Sequence, residues 1–407
     1  MNVLFLSVMD MVSIDESNIY TDLIREFVNH GHHVDIVSPI EKRSKTNDTD
    51  IHKEGYDIYK PHVGNITNTG FAEKGVSILK YRKQIIECIK EKIGGSKKID
   101  LFLVAVPPVT VDKVIAFVKK QYSCKVYLLL KDIWPASMFD LKTTGGPFVK
   151  KAVCAIFRIW EKNLYRLSDS IGCLSKGNVE YIRRNNMYLD PKKIHENPNT
   201  IAPHDIHPLD TEERNATRSK YGVPVDEIAF IYGGTLGVGQ NVPHIVECLE
   251  ACQDLKCHFV ISGKGVQYNL LEQYRDKGKP KNLTLINGLP KAEYDKLMQS
   301  CDVGMVFLRY TAQTPNIPSR ILTYMDYSLP ILSCTDPTSD LNQIIEAGRF
   351  GWSCLSNDPE KFRECVETVL DSNIEPYKRA SNLFLREHYC ASKSYSIILR
   401  ELYLGEE

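Results

Sequence analysis

Three stretches in the second half of the chain carry residues suited to holding an anion. "IAFIYGGTLGVGQNVPHIVECL", from Ile228, joins a strand-like run to a helix-like one through Gly233, Gly234, Gly237 and Gly239. Such a loop lets backbone N–H groups approach a phosphate at the positive end of the next helix, with no need of a side-chain charge. A flexible turn is the competing reading, but four glycines exceed what a turn requires. Asn241 is a candidate helix cap, with Pro243 in the first turn. "ISGKGVQ" supplies Gly263 and Gly265 after another strand. Tyr268 there occupies the third glycine position of a dinucleotide fingerprint, which disfavours a nicotinamide site. Lys264 either lines a cleft or is an ordinary surface lysine. "PNIPSRILTYMDYSLPIL", residues 315–332, offers Ser319 as cap of a helix running from Arg320 through Tyr327. Arg320 at that position brings forked donors matched to phosphate, though a surface arginine after a cap is as common.

The elements that must position these residues alternate regularly. "NVLFLSV", "YTDLIREFVNHG" and "HVDIVSP" read as a βαβ unit, with Gly31 where the helix stops. "IDLFLVAV" and "KVYLLL" are continuous apolar runs, as a parallel sheet covered on both faces requires. "HENPNTIAPHDIHP", residues 195–208, breaks the rhythm and is the linker candidate. The alternation then restarts through "IAFIYGG", "CHFVISG", "LTLINGL", "DVGMVFL" and "LPILSC". This predicts an α/β chain of two Rossmann-like, doubly wound domains facing across a cleft. Residues 1–200 form the first, completed by C-terminal helices at 382–407; residues 201–381 form the second. In such sheets ligands bind beyond the carboxyl ends of the strands.

Composition adds limits. The 407 residues are 43% hydrophobic and 25% charged, average for a globular protein. Through residue 195 there are 30 Lys and Arg against 22 Asp and Glu, leaving 21 against 29 of the chain's 51 and 51. A basic first half suits a phosphate-rich acceptor or an anionic surface; two complementary halves attracting one another explain the split equally well. Twelve cysteines without CxxC pairs or a leader read as reduced core thiols of a cytoplasmic protein. Cys248, Cys252 and Cys257 come nearest to a cluster. Helical spacing accounts for the first two, and no His or acid is read at zinc-ligand spacing, so no metal is expected. No apolar run approaches the length needed to cross a bilayer. "GPFVKKAVCAIFRIWEKNLYRL", residues 146–167, interleaves Phe148, Phe157, Ile159 and Trp160 with Lys150, Lys151, Arg158, Lys162 and Arg166. That pattern suits a lipid headgroup zone, or else a helix with one buried face.

The order of motifs, "GHHV", "KDIWP", "GGTLGVGQ", "SGKG", "NGLPKAEYDKLMQSCDVGMVFL" and "PSRILTYMDYSLPIL", resembles retaining glycosyltransferases of family 4. These have the GT-B fold, and the nearest likeness is to the bacterial surface-polysaccharide branch that includes fucosamine transferase-like enzymes. The resemblance covers most of the chain. It implies transfer of a sugar, with retention and without metal or other cofactor, from a nucleotide-sugar donor to a lipid-linked or growing polysaccharide acceptor; no nucleic acid is implied. It places the donor in the second domain, around Gly234, Thr235, Gly237, Gln240, Gly263, Lys264, Leu289, Ser319, Arg320, Thr323 and Asp326. It puts Lys131 and Asp132 near the transferred sugar, where the competing reading has Asp132 capping a turn at Trp134 and Pro135. The family's Gly-Arg and the Lys five residues later are here Thr235 and Gln240. Its paired glutamates are Pro315 and Thr323; Asp326, one turn on, is either a substitute carboxylate or an ordinary solvated helix residue. These departures leave open a degenerate fold serving as non-catalytic partner of an active enzyme; a sugar-nucleotide epimerase of the same fold is a third reading. The implied location is the cytoplasm, at the inner membrane face if the 146–167 helix binds lipid.

Overall fold

The computed structural model describes all residues except 8, 45–48, 66–70, 107–108, 134–145, 206 and 404–407. It divides into two compact units, Met1–Ala202 with Ala391–Glu407, and Pro203–Cys390.

The first unit carries β1 (Asn2–Leu6), α1 (Thr21–Asn29), β2 (His33–Val37), β3 (Ile40–Glu41), β4 (Ile51–Lys53), β5 (Tyr56–Tyr59), β6 (His62–Val63), α2 (Phe71–Cys88), β7 (Leu101–Val106), α3 (Asp112–Tyr122), β8 (Lys125–Leu130), α4 (Gly146–Leu167), β9 (Ser170–Cys173), α5 (Lys176–Asn185) and β10 (Ile194–Glu196). Its eight-stranded sheet runs β10-β9-β8-β7-β1-β2-β5-β4. Every pair is parallel except β4 with β5. β7 is buried along its whole length, as its unbroken apolar run requires. Gly31 ends α1 at φ +75°, its N–H donating to Val28 O at 2.9 Å.

The second unit carries α6 (Thr211–Lys220), β11 (Ile228–Thr235), α7 (Val242–Ala251), β12 (Cys257–Lys264), α8 (Tyr268–Gly278), β13 (Leu283–Ile286), α9 (Lys291–Ser300), β14 (Val303–Phe307), α10 (Arg320–Asp326), β15 (Ile331–Thr335), α11 (Leu341–Gly348), β16 (Gly351–Leu355), α12 (Pro359–Asp371) and α13 (Glu375–His388). The six-stranded sheet, all parallel, is ordered β13-β12-β11-β14-β15-β16. The order in which strands are added therefore reverses between β11 and β14, and the crevice beyond their carboxyl ends is the binding position of this topology. Phe230, Phe259, Phe307 and Phe362 pack inside the unit.

Two expectations change. Position 382 falls inside α13, which stays with the second unit because Ser381 Oγ donates to Leu329 O and Asn382 Nδ2 to Met325 O (2.8 and 3.2 Å). Only α14 (Ala391–Tyr403) returns to the first unit. The linker candidate, residues 195–208, does hold the boundary between the units, at Ala202–Pro203, but it opens within β10, and Asn197, Asn199 and Thr200 are buried.

Candidate active site

The crevice of the second unit is built where β11 and β12 run side by side to their ends, Gly234 opposite Gly263 and Thr235 opposite Lys264. The glycines here divide by cause. A Cβ at residue 263 would collide with the Gly234 carbonyl oxygen, and one at 233 with the Tyr294 hydroxyl. These two are small because other atoms occupy the space. Gly237 meets only ordinary contacts and Gly239 none, so packing does not explain that pair. The chain turns there through a 3₁₀ turn, Val238–Gln240, before α7. The Gly237 N–H donates to Gln240 Oε1 at 3.2 Å, giving Gln240 a local role in shaping the loop.

Arg320 reaches this loop from the first residue of α10. Its guanidinium lies 4.4 Å above the Tyr232 ring centroid, and a Cβ on Gly234, at φ +127°, would sit 3.2 Å from Arg320 Nη2. Nη1 is buried and meets no hydrogen-bond partner among the described residues. Tyrosines hold the arrangement in place. The Tyr232 hydroxyl donates to Thr235 O at 2.6 Å, while the Gly233 N–H donates to Tyr324 Oη at 3.2 Å. The Tyr324 hydroxyl in turn donates to Met305 O at 3.3 Å, and the Tyr294 hydroxyl lies against Gly233. Burial pushes the Tyr324 phenol up to about 12 against the pull of Arg320, so the brace stays neutral beside the cation. An arginine stacked on a ring, with a buried unpaired N–H edge beside backbone donors, is equipped to take an anionic oxygen pair.

The other expected donor residues divide. Thr235 is exposed at the end of β11, and Lys264, also exposed, runs its stem across Gly288 beside Leu289. Ser319 does not cap α10: its backbone is already helical (φ −61°, ψ −18°) and its side chain makes no capping bond. A capping side chain needs an extended backbone at that position. Asn241 likewise sits at the start of α7 in the left-handed region, without a side-chain cap. The helix from Arg320 ends at Asp326, with Tyr327 just beyond it.

Thr323 is half-buried and stands about 4.5 Å down the axis from Arg320 at 1.5 Å per residue. Asp326 is about 9 Å down the same axis. It is buried, and both its oxygens are engaged by His204, with the backbone N–H at 3.0 Å and Nδ1 at 2.7 Å. The substitute carboxylate is thus committed to the segment entering this unit. A cavity of about 450 Å³ opens beside that pair, near Arg214, Lys378 and Arg386. It flanks Asp302, just before β14, and so belongs to the opposite edge of the sheet from the glycine loop.

In the first unit, Lys131 follows β8 and its Nζ donates to Pro198 O at 3.1 Å. Burial pushes the Lys131 ammonium down to about 7, with Cys173 pulling weakly the other way. Burial also raises the Asp132 carboxyl, against a bond from the Ile133 N–H. Trp134 and Pro135 lie outside the described residues. The Lys131 shift fixes a sign. Between about 7 and the ordinary 10.5 the unfolded chain holds a proton that the folded one has released, so Lys131 makes stability rise with pH across that window. Lys131→Met should flatten the rise relative to wild type, as read from urea midpoints at pH 7 and pH 8.5. Parallel curves would show that the ammonium is not destabilised.

The tyrosine brace is the part of the site that sequence reading missed. Tyr324 lies four residues after Arg320, on the same helix face, and Tyr232 directly precedes the glycine pair. Those two positions were the available signals; Tyr294 had none.

With this geometry in view, the fold is that of GT-B glycosyltransferases. Residues 213–383 match the family model of glycosyl transferases group 1. A curated relative, the probable glycosyltransferase WbjE of Pseudomonas aeruginosa, is 22% identical over 160 residues, spanning 39% of this chain and 40% of that protein. The chain thus matches less than half the length of that relative. Among solved structures, a trehalose-6-phosphate protein of E. coli bound with UDP-2-fluoro glucose aligns over 99% of both chains with TM-score 0.73 at 8% identity. WaaG, a glycosyltransferase involved in lipopolysaccharide biosynthesis, aligns over 97% of this chain and 99% of its own, with TM-score 0.64 at 14% identity.

Proposed function

We propose that the protein is a glycosyltransferase that moves a sugar from a nucleotide-sugar donor to a lipid-linked or growing polysaccharide acceptor in bacterial surface-polysaccharide synthesis. The observation that carries this is the buried, unpaired Nη1 of Arg320 beside the Gly234–Gly239 loop, at the switch point of a Rossmann-like sheet. The donor diphosphate takes the place of the missing partner, and the loop N–H groups share its charge. Gln240, Thr235, Lys264 and Leu289 line the remaining donor contacts.

The reaction proceeds with retention and without a metal. The acceptor hydroxyl attacks the anomeric carbon on the face from which the diphosphate departs. The bond to phosphate oxygen breaks as the bond to acceptor oxygen forms, and the acceptor proton passes to the departing diphosphate. No protein carboxylate is needed as base, which accommodates threonine at 323. Lys131, able to exchange a proton near neutral pH, and Asp132 serve the sugar and acceptor side.

The test is release of nucleoside diphosphate by the purified protein, from a panel of nucleotide sugars, with and without bacterial lipid-linked acceptors. Acceptor-dependent release is expected; conversion of the donor into an isomeric nucleotide sugar without acceptor, with no net release of nucleoside diphosphate, would favour an epimerase. Thr323→Glu should leave turnover measurable and donor affinity equal or tighter, since the family glutamate's role is to grip the donor. The uncharged Thr235, Gln240 and Thr323, and the engagement of Asp326 by His204, favour a second reading, a non-catalytic partner of an active enzyme. Failure of the wild type to bind any donor, with binding restored by Thr323→Glu, would put that reading first.

The protein works at the inner membrane face in this proposal. No helix among the described residues is long and apolar enough to cross a membrane. The aromatic part of the lipid argument is corrected: Phe157 and Trp160 pack against the first unit's core, and Arg82 stacks on Trp160 at 4.3 Å. Phe148 and Lys150 lie outside the described side chains; among the described residues the large apolar side chains that α4 exposes are Ile156 and Ile159, on the same helix as exposed Lys151 and Arg166. Sedimentation with anionic vesicles at low salt, weakened by added salt and by Ile159→Glu, is the expected result. A protein that stays in the supernatant at low salt would remove the membrane from this proposal.

A further inference from the structure

His244, in the first turn of α7, aims Nε2 at two sulfurs: Cys248 Sγ, one helical turn on, at 3.5 Å, and Cys334 Sγ on β15 at 3.7 Å. All three side chains are buried, and their ligand atoms lie within 4.8 Å of one another. The other ring nitrogen, Nδ1, meets Glu247 Oε2 at 3.0 Å. A carboxylate there favours the Nδ1–H tautomer and turns the Nε2 lone pair toward the sulfurs, as the outer partner of a metal-bound histidine does. Cys354 on β16 is the register partner of Cys334. A buried thiol pairing with an imidazole needs only one sulfur; here two face one nitrogen.

With Zn–N near 2.0 to 2.1 Å and Zn–S near 2.3 Å, a tetrahedral site has N···S edges of about 3.5 Å. The observed edges fall close to that value, and soft thiolates select zinc over the hard cations. We infer that His244 Nε2, Cys248 and Cys334 are three ligands of a zinc site that ties the first turn of α7, and with it the end of the glycine loop, to β15. Loading releases one proton from each of the two thiols to solvent. The expectation of no metal came from spacing among cysteines. It passed over His244, four residues before Cys248, and a ligand brought in by a separate strand lay beyond its reach.

Titrating the reduced full-length protein with Co²⁺ tests this directly. One equivalent should give the intense visible bands of a tetrahedral ion together with a thiolate charge-transfer band, both erased by Zn²⁺. Cys248→Ser and Cys334→Ser should each weaken binding by at least about tenfold, and Glu247→Gln by about tenfold. Cys301→Ser, buried in the same unit outside the cluster, should titrate as wild type. The wild-type titration needs no variant: a spectrum of octahedral, oxygen-bound cobalt alone would overturn the site, whether or not the serine variants fold. Cys301→Ser losing as much affinity as Cys334→Ser would overturn it equally.

Discussion

Replacing Arg320 by alanine is expected to raise the donor dissociation constant by about tenfold or more. A charge-assisted hydrogen bond contributes about 1.5 to 3 kcal/mol, and about 1.4 kcal/mol is a factor of ten. Thr235 and Gln240 carry no charge to compensate. Arg320→Lys should recover little, because an ammonium neither stacks flat on Tyr232 nor presents two parallel donors. The unfolding midpoint should hold or rise in Arg320→Ala, since a buried donor without a partner is a cost in the empty protein. Calorimetric titration beside thermal melts would separate these readouts. An unchanged dissociation constant would release Arg320 from the diphosphate.

The strands were legible because parallel sheets covered on both faces demand apolar runs, and "IAFIYGG" and "CHFVISG" are such runs. Their order was not, since β11 pairs with β14 through residues 230–231 and 303–304, far apart in the chain. The same distance hid the site's framework: Tyr232 stacks on the guanidinium while Tyr294 and Tyr324, from two other elements, meet Gly233 beside it. The helix-cap expectations failed at Ser319 and Asn241 for a local reason, because backbone angles there depend on what the preceding loop packs against. Asp326 failed for a tertiary one. Helical spacing does put it near the face of Thr323, but the short helix carries it to the far edge of the sheet, where His204 claims it.

That two-edged construction supports the last expectation. Arg218 is fully buried. Its Nη2 pairs with Asp302 Oδ2 at 2.6 Å, its Nε donates to Ser300 O, and its Nη1 to Pro224 O and Glu227 O. The same Asp302 oxygen accepts from the Ala229 N–H at 2.8 Å, while Oδ1 accepts from Arg214 Nη2 at 3.0 Å. One carboxylate thus joins α6 to the starts of β11 and β14. Asp302→Ala would leave the Arg218 charge in the interior with carbonyl partners only, a change that costs about 3 to 5 kcal/mol where such pairs have been broken. Asp302→Asn, which keeps an acceptor, should cost less. Urea unfolding followed through Trp352, with Trp134→Phe and Trp160→Phe in the background so that it is the sole tryptophan, reads this unit apart from the other, as two units need not melt together. Asp302 stands at the amino-terminal edge of the sheet and the glycine loop with Arg320 at the carboxyl edge, so the folded Asp302→Ala protein should bind donor as wild type does. A large loss of donor affinity in the folded fraction would mean that the two edges are not independent, and that the pair holding the strand starts also sets the spacing of the loop that takes the diphosphate.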